Sequence, residues 1–251
     1  IESSILKREE PIVQELANEY LTEQGITILN DVTLNSVSND GNKPVITANG
    51  QNDTFDAVLY ATGRKPNTAN IGLENTDITT NERGAIVVND TCESSVPGVY
   101  AVGDVNGGPQ FTYISLDDFR IVFGALTGNG QYTLKDRKNI PYTTFLTPPL
   151  ARVGLTEEDA INKGYTVKTK EMLVATMPRA HVNDYLKGAF KIVVNAENDL
   201  ILGATLYSQG AEELINLIKM AMDNNIPYTY FKNQIFTHPT MAENLNDLCN
   251  F

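Results

Sequence analysis

Val99-Tyr100-Ala101-Val102-Gly103-Asp104-Val105 is the stretch around which the rest of the chain is organised. Its apolar start predicts a short buried strand that runs into Gly-Asp. In open α/β folds, ligands sit beyond the carboxyl ends of strands. A glycine at such a place lets the backbone approach a ligand closely, and Asp104 offers two acceptor oxygens to sugar-type hydroxyls. The same residues also fit a plain turn. The surrounding segments decide between the two.

Upstream, Glu9 to Gln24 reads as an amphipathic helix. Pro11 suits its first turn, Ile12, Val13, Leu16, Ala17, Tyr20 and Leu21 form one stripe, and Gly25 can close it. Ile26–Leu29 is expected as a strand, and two more strands should flank the polar turn at Ser38–Lys43. Phe55–Ala61 (FDAVLYA) has the continuous apolar character of a buried strand, ending on the loop Thr62-Gly63-Arg64-Lys65-Pro66-Asn67. Downstream, Ile86–Val88 and Val99–Val102 are expected strands and Ser115–Leu126 a helix. Ser115 and Asp118 are spaced as a capping box, with Leu116, Phe119, Val122, Phe123 and Leu126 as the apolar stripe. The start of that helix, near Thr112–Ser115, offers either an anion-favouring terminus or an ordinary capped surface helix.

The pattern changes after Asp136-Arg137-Lys138-Asn139, a polar joint that marks the main domain boundary. Strands are expected at Phe145–Pro149, Ala151–Leu155, Thr166–Thr176, Ala189–Asn195 and Ile201–Tyr207. Helices are expected at Thr156–Lys163, with a Thr156/Asp159 cap, and at Glu212–Asn224. Many strands and few helices imply an α+β domain, an antiparallel sheet with helices on one face. The chain as a whole therefore reads as α/β nucleotide-binding, Rossmann-like remnants followed by this α+β domain.

Thr237-His238-Pro239-Thr240-Met241-Ala242-Glu243 holds one of only two histidines in the chain. Pro239 should start a short final helix that carries Glu243 back over His238. A carboxylate beside an imidazole N–H selects the tautomer and raises the basicity of the ring, as a proton shuttle requires. A helix-capping or core histidine fits the pair as well. His181 has no such partner in sequence and reads as structural.

The 251 residues carry 19 Lys and Arg against 31 Asp and Glu, a net charge of −12, with no basic patch, which argues against nucleic acid and anionic membranes as partners. No apolar run has membrane-spanning length. Cys92 and Cys249 lie far apart, outside any redox or metal-ligand spacing, so no metal site is expected. Two scattered thiols and no secretory signal point to a cytoplasmic setting.

Four segments together resemble one family. They are Ala61-Thr-Gly-Arg-Lys-Pro-Asn67, Gly98-Val-Tyr-Ala-Val-Gly-Asp104, Thr147-Pro-Pro-Leu-Ala-Arg-Val-Gly154 and His238-Pro-Thr-Met-Ala-Glu243. In this order they resemble the flavoprotein disulfide reductases, the pyridine nucleotide-disulfide oxidoreductases. The resemblance covers essentially the whole chain, aligned with the latter half of a family member. Residues 107–120 and 234–248 are similar to a mercuric-reductase-like branch linked to reactive-chlorine resistance and to metal-ion reduction.

The resemblance implies FAD and NADH or NADPH as cofactors. It implies that residues 1–66 belong to an NAD-binding domain, 67–137 to an FAD-binding domain and 138–251 to a homodimerising interface domain. Asp104 would bind the ribityl chain of FAD, and Gly103 would allow its approach. Phe111, Thr112 and Tyr113 would open the helix facing the flavin, although the wording of the family motif is altered there. Gly63 and Arg64 would lie at the joint between the nucleotide domains, and Glu2 would contact an adenosine ribose, favouring NADH. His238, paired with Glu243 and set by Pro239, would reach across a two-fold axis to the redox dithiol and flavin of the partner. Substrates of such an enzyme would be a disulfide, a hypohalous-type oxidant or a metal ion.

The glycine-rich phosphate loops and the CxxxxC pair of the family do not occur in these residues. With a first residue other than Met, this implies the C-terminal portion of such an enzyme, inactive alone. A dimerisation module without chemistry is the alternative.

Overall fold

The computed structural model describes residues 3–251. In chain order its elements are α1 (Pro11–Glu23), β1 (Leu34–Asp40), β2 (Lys43–Ala48), β3 (Gln51–Thr54), α2 (Thr112–Thr127), β4 (Tyr142–Thr144), β5 (Leu150–Gly154), α3 (Glu157–Asn162), β6 (Val167–Leu173), α4 (Pro178–Val182), β7 (Ala189–Asn195), β8 (Ile201–Tyr207), α5 (Ala211–Asp223), α6 (Tyr228–Asn233) and α7 (Asn244–Leu248). Short 3-10 turns lie between them. The chain divides into two compact units. One takes in the residues up to Val58 together with Asn139–Phe251, and the other is Leu59–Lys138.

In the first unit, five strands form an antiparallel sheet in the order β4-β5-β8-β7-β6. Every residue of β7 is buried, so the sheet is covered on both faces. On one face, Val153, Ile192, Val194, Ala204 and Leu206 pack against Leu214, Ile215, Ile218 and Ala221 of α5, with Leu245 and Leu248 of α7. The other face is covered by α1, whose Val13, Ala17 and Tyr20 meet Leu150 and Tyr207. Pro11 starts α1, where its missing N–H costs nothing. Helices on one face only was the expectation. The second face instead attracts α1, because its cross-strand row Leu150–Tyr207–Ala189 is apolar, while the next row along the strands is polar.

Those polar positions line up. Tyr142 pairs with Arg152 across β4–β5, Arg152 with Thr205, Thr205 with Lys191, and Lys191 with Glu171 of β6. One row therefore crosses all five strands on the α1 side. Three acidic residues from outside the sheet, Glu9, Glu10 and Glu157, close over it. Lys191 Nζ lies 3.0 Å from Glu10, 2.7 Å from Glu157 and 2.9 Å from Glu171, and Glu9 accepts from the Tyr142 hydroxyl at 2.5 Å. Thr156 caps α3 in a capping box with Asp159, as its spacing predicts.

The short sheet β1-β2-β3 is antiparallel and forms around the expected polar turn. Ile26–Leu29 is not a strand, and neither is Phe55–Ala61, where Leu59 is 89% and Tyr60 66% exposed. An apolar strand of this kind needs neighbours on both edges, and none of the described residues supplies them.

In the Leu59–Lys138 unit, Ile86 and Tyr100 take part only in isolated bridges, to Thr80 and Glu93, so neither expected strand forms. Gly103–Asn106 is a 3-10 turn. Helix α2 forms, but Ser115 and Asp118 do not cap it. Phe111 is the N-cap and makes no side-chain cap bond. The expected stripe is also displaced. Ile114, Asp118 and Ile121 face inward, while Phe119 and Phe123 are 54% and 56% exposed. Asp118 turns in because a buried cation and a backbone N–H claim its carboxylate. In the interface half, β4 precedes the expected Phe145–Pro149 strand, since Pro148 and Pro149 cannot donate to a ladder. The last helix begins after Glu243 rather than at Pro239.

Candidate active site

His238 and Glu243 meet as their spacing predicts. His238 Nδ1 lies 2.7 Å from Glu243 Oε2, and the imidazole is 70% exposed whereas Glu243 is 19% exposed. A carboxylate accepts, so Nδ1 carries the hydrogen and Nε2 is left as the lone-pair nitrogen. The His238 hydrogen bond, helped by the Thr240 N–H, holds the Glu243 carboxyl below the usual glutamate range against the opposing pull of burial. Glu243 therefore remains an acceptor from neutral into mildly acidic pH. Its share of the loop's stability is complete above the ordinary glutamate pKa and is lost as pH falls through the lowered one. Pro239, in a cis peptide after His238, accepts from Arg179 Nη1 at 3.4 Å. His181 sits elsewhere, with Nε2 donating to the Ala175 carbonyl at 2.8 Å.

The second set of residues lies in the Leu59–Lys138 unit. Gly103 has φ +73°, and a Cβ there would stand 2.7 Å from Ser115 Oγ, so only glycine fits the turn. Its N–H donates to Asp118 Oδ2 at 2.7 Å, and Asn106 Nδ2 donates to the same oxygen at 2.9 Å. Arg137 closes the cluster, bonding Asp117 through Nε at 2.7 Å and Asp118 through Nη2. Burial pulls on the Arg137 guanidinium, but hydrogen bonds to Asp118 and Asp117 outweigh it and hold the group charged. This buried pair props the turn that presents Asp104 to solvent.

Helix α2 begins beside that turn. Its first turn holds no acidic residue, Thr112 and Tyr113 are exposed, and the rings of Phe111 and Tyr113 stack at 5.1 Å. A helix start of this kind carries partial positive charge and suits an electron-rich group. Together with the glycine that excludes a Cβ and the exposed Asp104, it fits one side of a flavin site. Gly63, at φ +120°, and Arg64 are exposed on the Leu59–Lys138 unit, and Glu2 lies outside the described residues.

Both thiols are free and buried. Burial pushes Cys92 up to about 11 and Cys249 up to about 12, so neither is a thiolate at neutral pH. The Arg137–Asp118 pair and the Lys191 cluster escaped sequence reasoning. The one available signal was a charged residue inside an apolar run, as in Ala189-Phe-Lys-Ile-Val193.

Comparison with known proteins places the chain among a single group. Residues 140–249 match the family described as pyridine nucleotide-disulphide oxidoreductase, dimerisation domain, and residues 1–118 match pyridine nucleotide-disulphide oxidoreductase. The chain is 42% identical over 246 residues to the probable pyridine nucleotide-disulfide oxidoreductase RclA of Escherichia coli (strain K12), covering 98% of this chain and 56% of that protein. It is 36% identical over 245 residues to a mercuric reductase of Staphylococcus aureus, covering 96% and 45%. The solved structure described as HOCl-induced flavoprotein disulfide reductase RclA from Escherichia coli superposes with a TM-score of 0.95 at 42% identity, covering 99% of this chain and 57% of that one. The chain thus spans about half the length of the curated relatives it matches.

Proposed function

This chain belongs to the flavoprotein disulfide reductases of the pyridine nucleotide-disulphide oxidoreductase family, and from that premise we propose that it supplies the proton-handling base and one side of the flavin site of an FAD-dependent NAD(P)H oxidoreductase. Its fold is that of the family, a Rossmann-like region followed by a dimerisation domain with an antiparallel sheet. Members depend on FAD and NAD(P)H. Bound FAD supplies the step that converts a nicotinamide hydride into electrons for an acceptor.

In this proposal residues 1–66, 67–137 and 138–251 serve the NAD-binding, FAD-binding and interface domains. Asp104 holds ribityl hydroxyls and Gly103 permits the approach. Phe111, Thr112 and Tyr113 offer the α2 terminus to the electron-rich end of the flavin. Gly63 and Arg64 border the nucleotide sites, and Glu2 takes a ribose. His238 receives or returns a proton at Nε2 while Glu243 holds Nδ1–H and Pro239 sets the backbone beside it. The acceptor is a disulfide, a hypohalous-type oxidant or a metal ion, supported by relatives described as an HOCl-induced disulfide reductase and as mercuric reductases. Two free, unpaired thiols are consistent with a cytoplasmic setting.

The observation that carries the proposal is the 2.7 Å His238–Glu243 hydrogen bond on a ring left open to a reactant. A dimerisation module without chemistry accounts for the match over residues 140–249, but leaves that alignment without a role. The base would act across a two-fold axis, so residues 138–251 must self-associate. Sedimentation equilibrium at micromolar concentration is expected to give twice the 27.6 kDa chain mass. A monomer would contradict the proposal.

A further inference from the structure

We propose that Thr240 is the positioning residue of the His238–Glu243 pair, an inference that rests on the proton-transfer role given to that pair above. Thr240 meets Glu243 twice. Its backbone N–H donates to Glu243 Oε1 at 3.1 Å, and its hydroxyl accepts the Glu243 N–H at 3.2 Å. The same hydroxyl donates to the Thr237 carbonyl at 2.7 Å, closing a loop that runs past His238 and Pro239. The pattern is the reciprocal bonding of a capping box, formed just ahead of α7.

Its effect is to divide the two carboxylate oxygens. Oε1 is committed to the backbone, and Oε2 is the oxygen that reaches His238 Nδ1. A glutamate without this hold samples several rotamers, and its carboxylate meets the imidazole for only part of the time. Asn244 fixes the same turn by donating to the carbonyls of Thr240 at 3.2 Å and Met241 at 3.1 Å. Thr240 makes no hydrogen bond to the ring among those described. It acts through Glu243.

The test uses the chain's two histidines. In 15N NMR spectra of the neutral rings, His181 is the internal reference for the Nε2–H tautomer, since Nε2 faces a carbonyl. Wild-type His238 is expected as the opposite, Nδ1–H tautomer. Thr240→Val keeps the volume and the backbone N–H but removes the hydroxyl, whose bonds to the Thr237 carbonyl and the Glu243 N–H hold the turn that aims the Thr240 N–H at Oε1. It is expected to lower the Nδ1–H to Nε2–H ratio of His238 by about fivefold, the change that one ordinary hydrogen bond carries. Thr240→Ser restores the hydroxyl and should restore the ratio, with His181 unchanged throughout. Thr240→Ala, which brings no branched methyl group into the loop, should behave as the valine variant does. An unchanged ratio in the folded valine and alanine variants overturns the role of Thr240 and leaves the base intact. A wild-type His238 that is itself Nε2–H overturns both.

Discussion

Replacing Lys191 by alanine is expected to destabilise the unit containing Asn139–Phe251 by about 3–5 kcal/mol, read as a lowered urea midpoint. Lys191 is 5% exposed and Glu10 2% exposed, and they lie 3.0 Å apart. Removing the ammonium takes from buried Glu10 the cation it faces at 3.0 Å, alongside Glu157 and Glu171, and like charges then repel in a poorly solvated place. A loss on that scale is a large share of the ~5–15 kcal/mol that holds an ordinary domain together. The loss should be partly recovered by adding Glu10→Gln, which removes the stranded charge but can still accept the Glu157 N–H bond made at 2.9 Å. If the single alanine variant cost no more than a surface pair, ~0–1 kcal/mol, the row would be a solvated feature rather than a buried clamp.

The pH dependence of that loss has a definite sign. Burial pulls the Lys191 ammonium down, but the hydrogen bonds to Glu157, Glu171 and Glu10 outweigh it and leave the group above the usual lysine range. A raised pKa in the folded state means the contribution is complete below the ordinary lysine value and fades only as pH climbs through the higher one. The wild-type advantage over Lys191→Ala is therefore flat on its alkaline side until pH passes about 10, the ordinary lysine range.

Arg137→Ala is expected to open the Leu59–Lys138 unit, with amide hydrogen exchange at Gly103 and along α2 accelerated by about two orders of magnitude or more, for a loss near 3 kcal/mol. Arg137 is 10% and Asp118 1% exposed, so the change strands a buried carboxylate. Asp118 then holds only the Gly103 and Asn106 N–H groups, and the turn that presents Asp104 loses its prop. Arg137→Lys should rescue only part of this, because a lysine cannot bond Asp117 and Asp118 together through a planar fork. Unchanged exchange at Gly103 in the alanine variant would show that the turn stands without the pair.

The two halves of the chain were not equally legible. Strands β7 and β8 form at Ala189–Asn195 and Ile201–Tyr207, where their apolar runs place them, because each finds its partner within the chain. Phe55–Ala61 and Val99–Val102 carry as strong an apolar signal and form no ladder, since strand formation depends on a neighbour that composition does not reveal. The stripe on α2 misled for a related reason. Leu116, Phe119 and Phe123 look like core, yet Asp118 faces inward, drawn by Arg137 and the Gly103 N–H.

The His238–Glu243 contact was readable because both partners lie in one short segment. The spacing Thr240-Met-Ala-Glu243 also carries a capping-box signature, beside the histidine that drew attention first. By contrast, Lys191 meets Glu10 from a distant part of the sequence, and only the register Tyr142–Arg152–Thr205–Lys191–Glu171 shows why a lysine sits in an apolar strand.

The most direct measurement is anaerobic NADH oxidation by the purified chain with added FAD and a disulfide acceptor. In the proposed function Asp104 and His238 would supply a flavin contact and a base, whereas burial raises the pKa of Cys92 and Cys249 and leaves both thiols protonated at neutral pH, poorly suited to passing electrons onward. The predicted rate does not exceed that of free FAD and is the same for His238→Ala. Turnover above that background, abolished by His238→Ala, would contradict the account by showing that these residues already form a complete reductase.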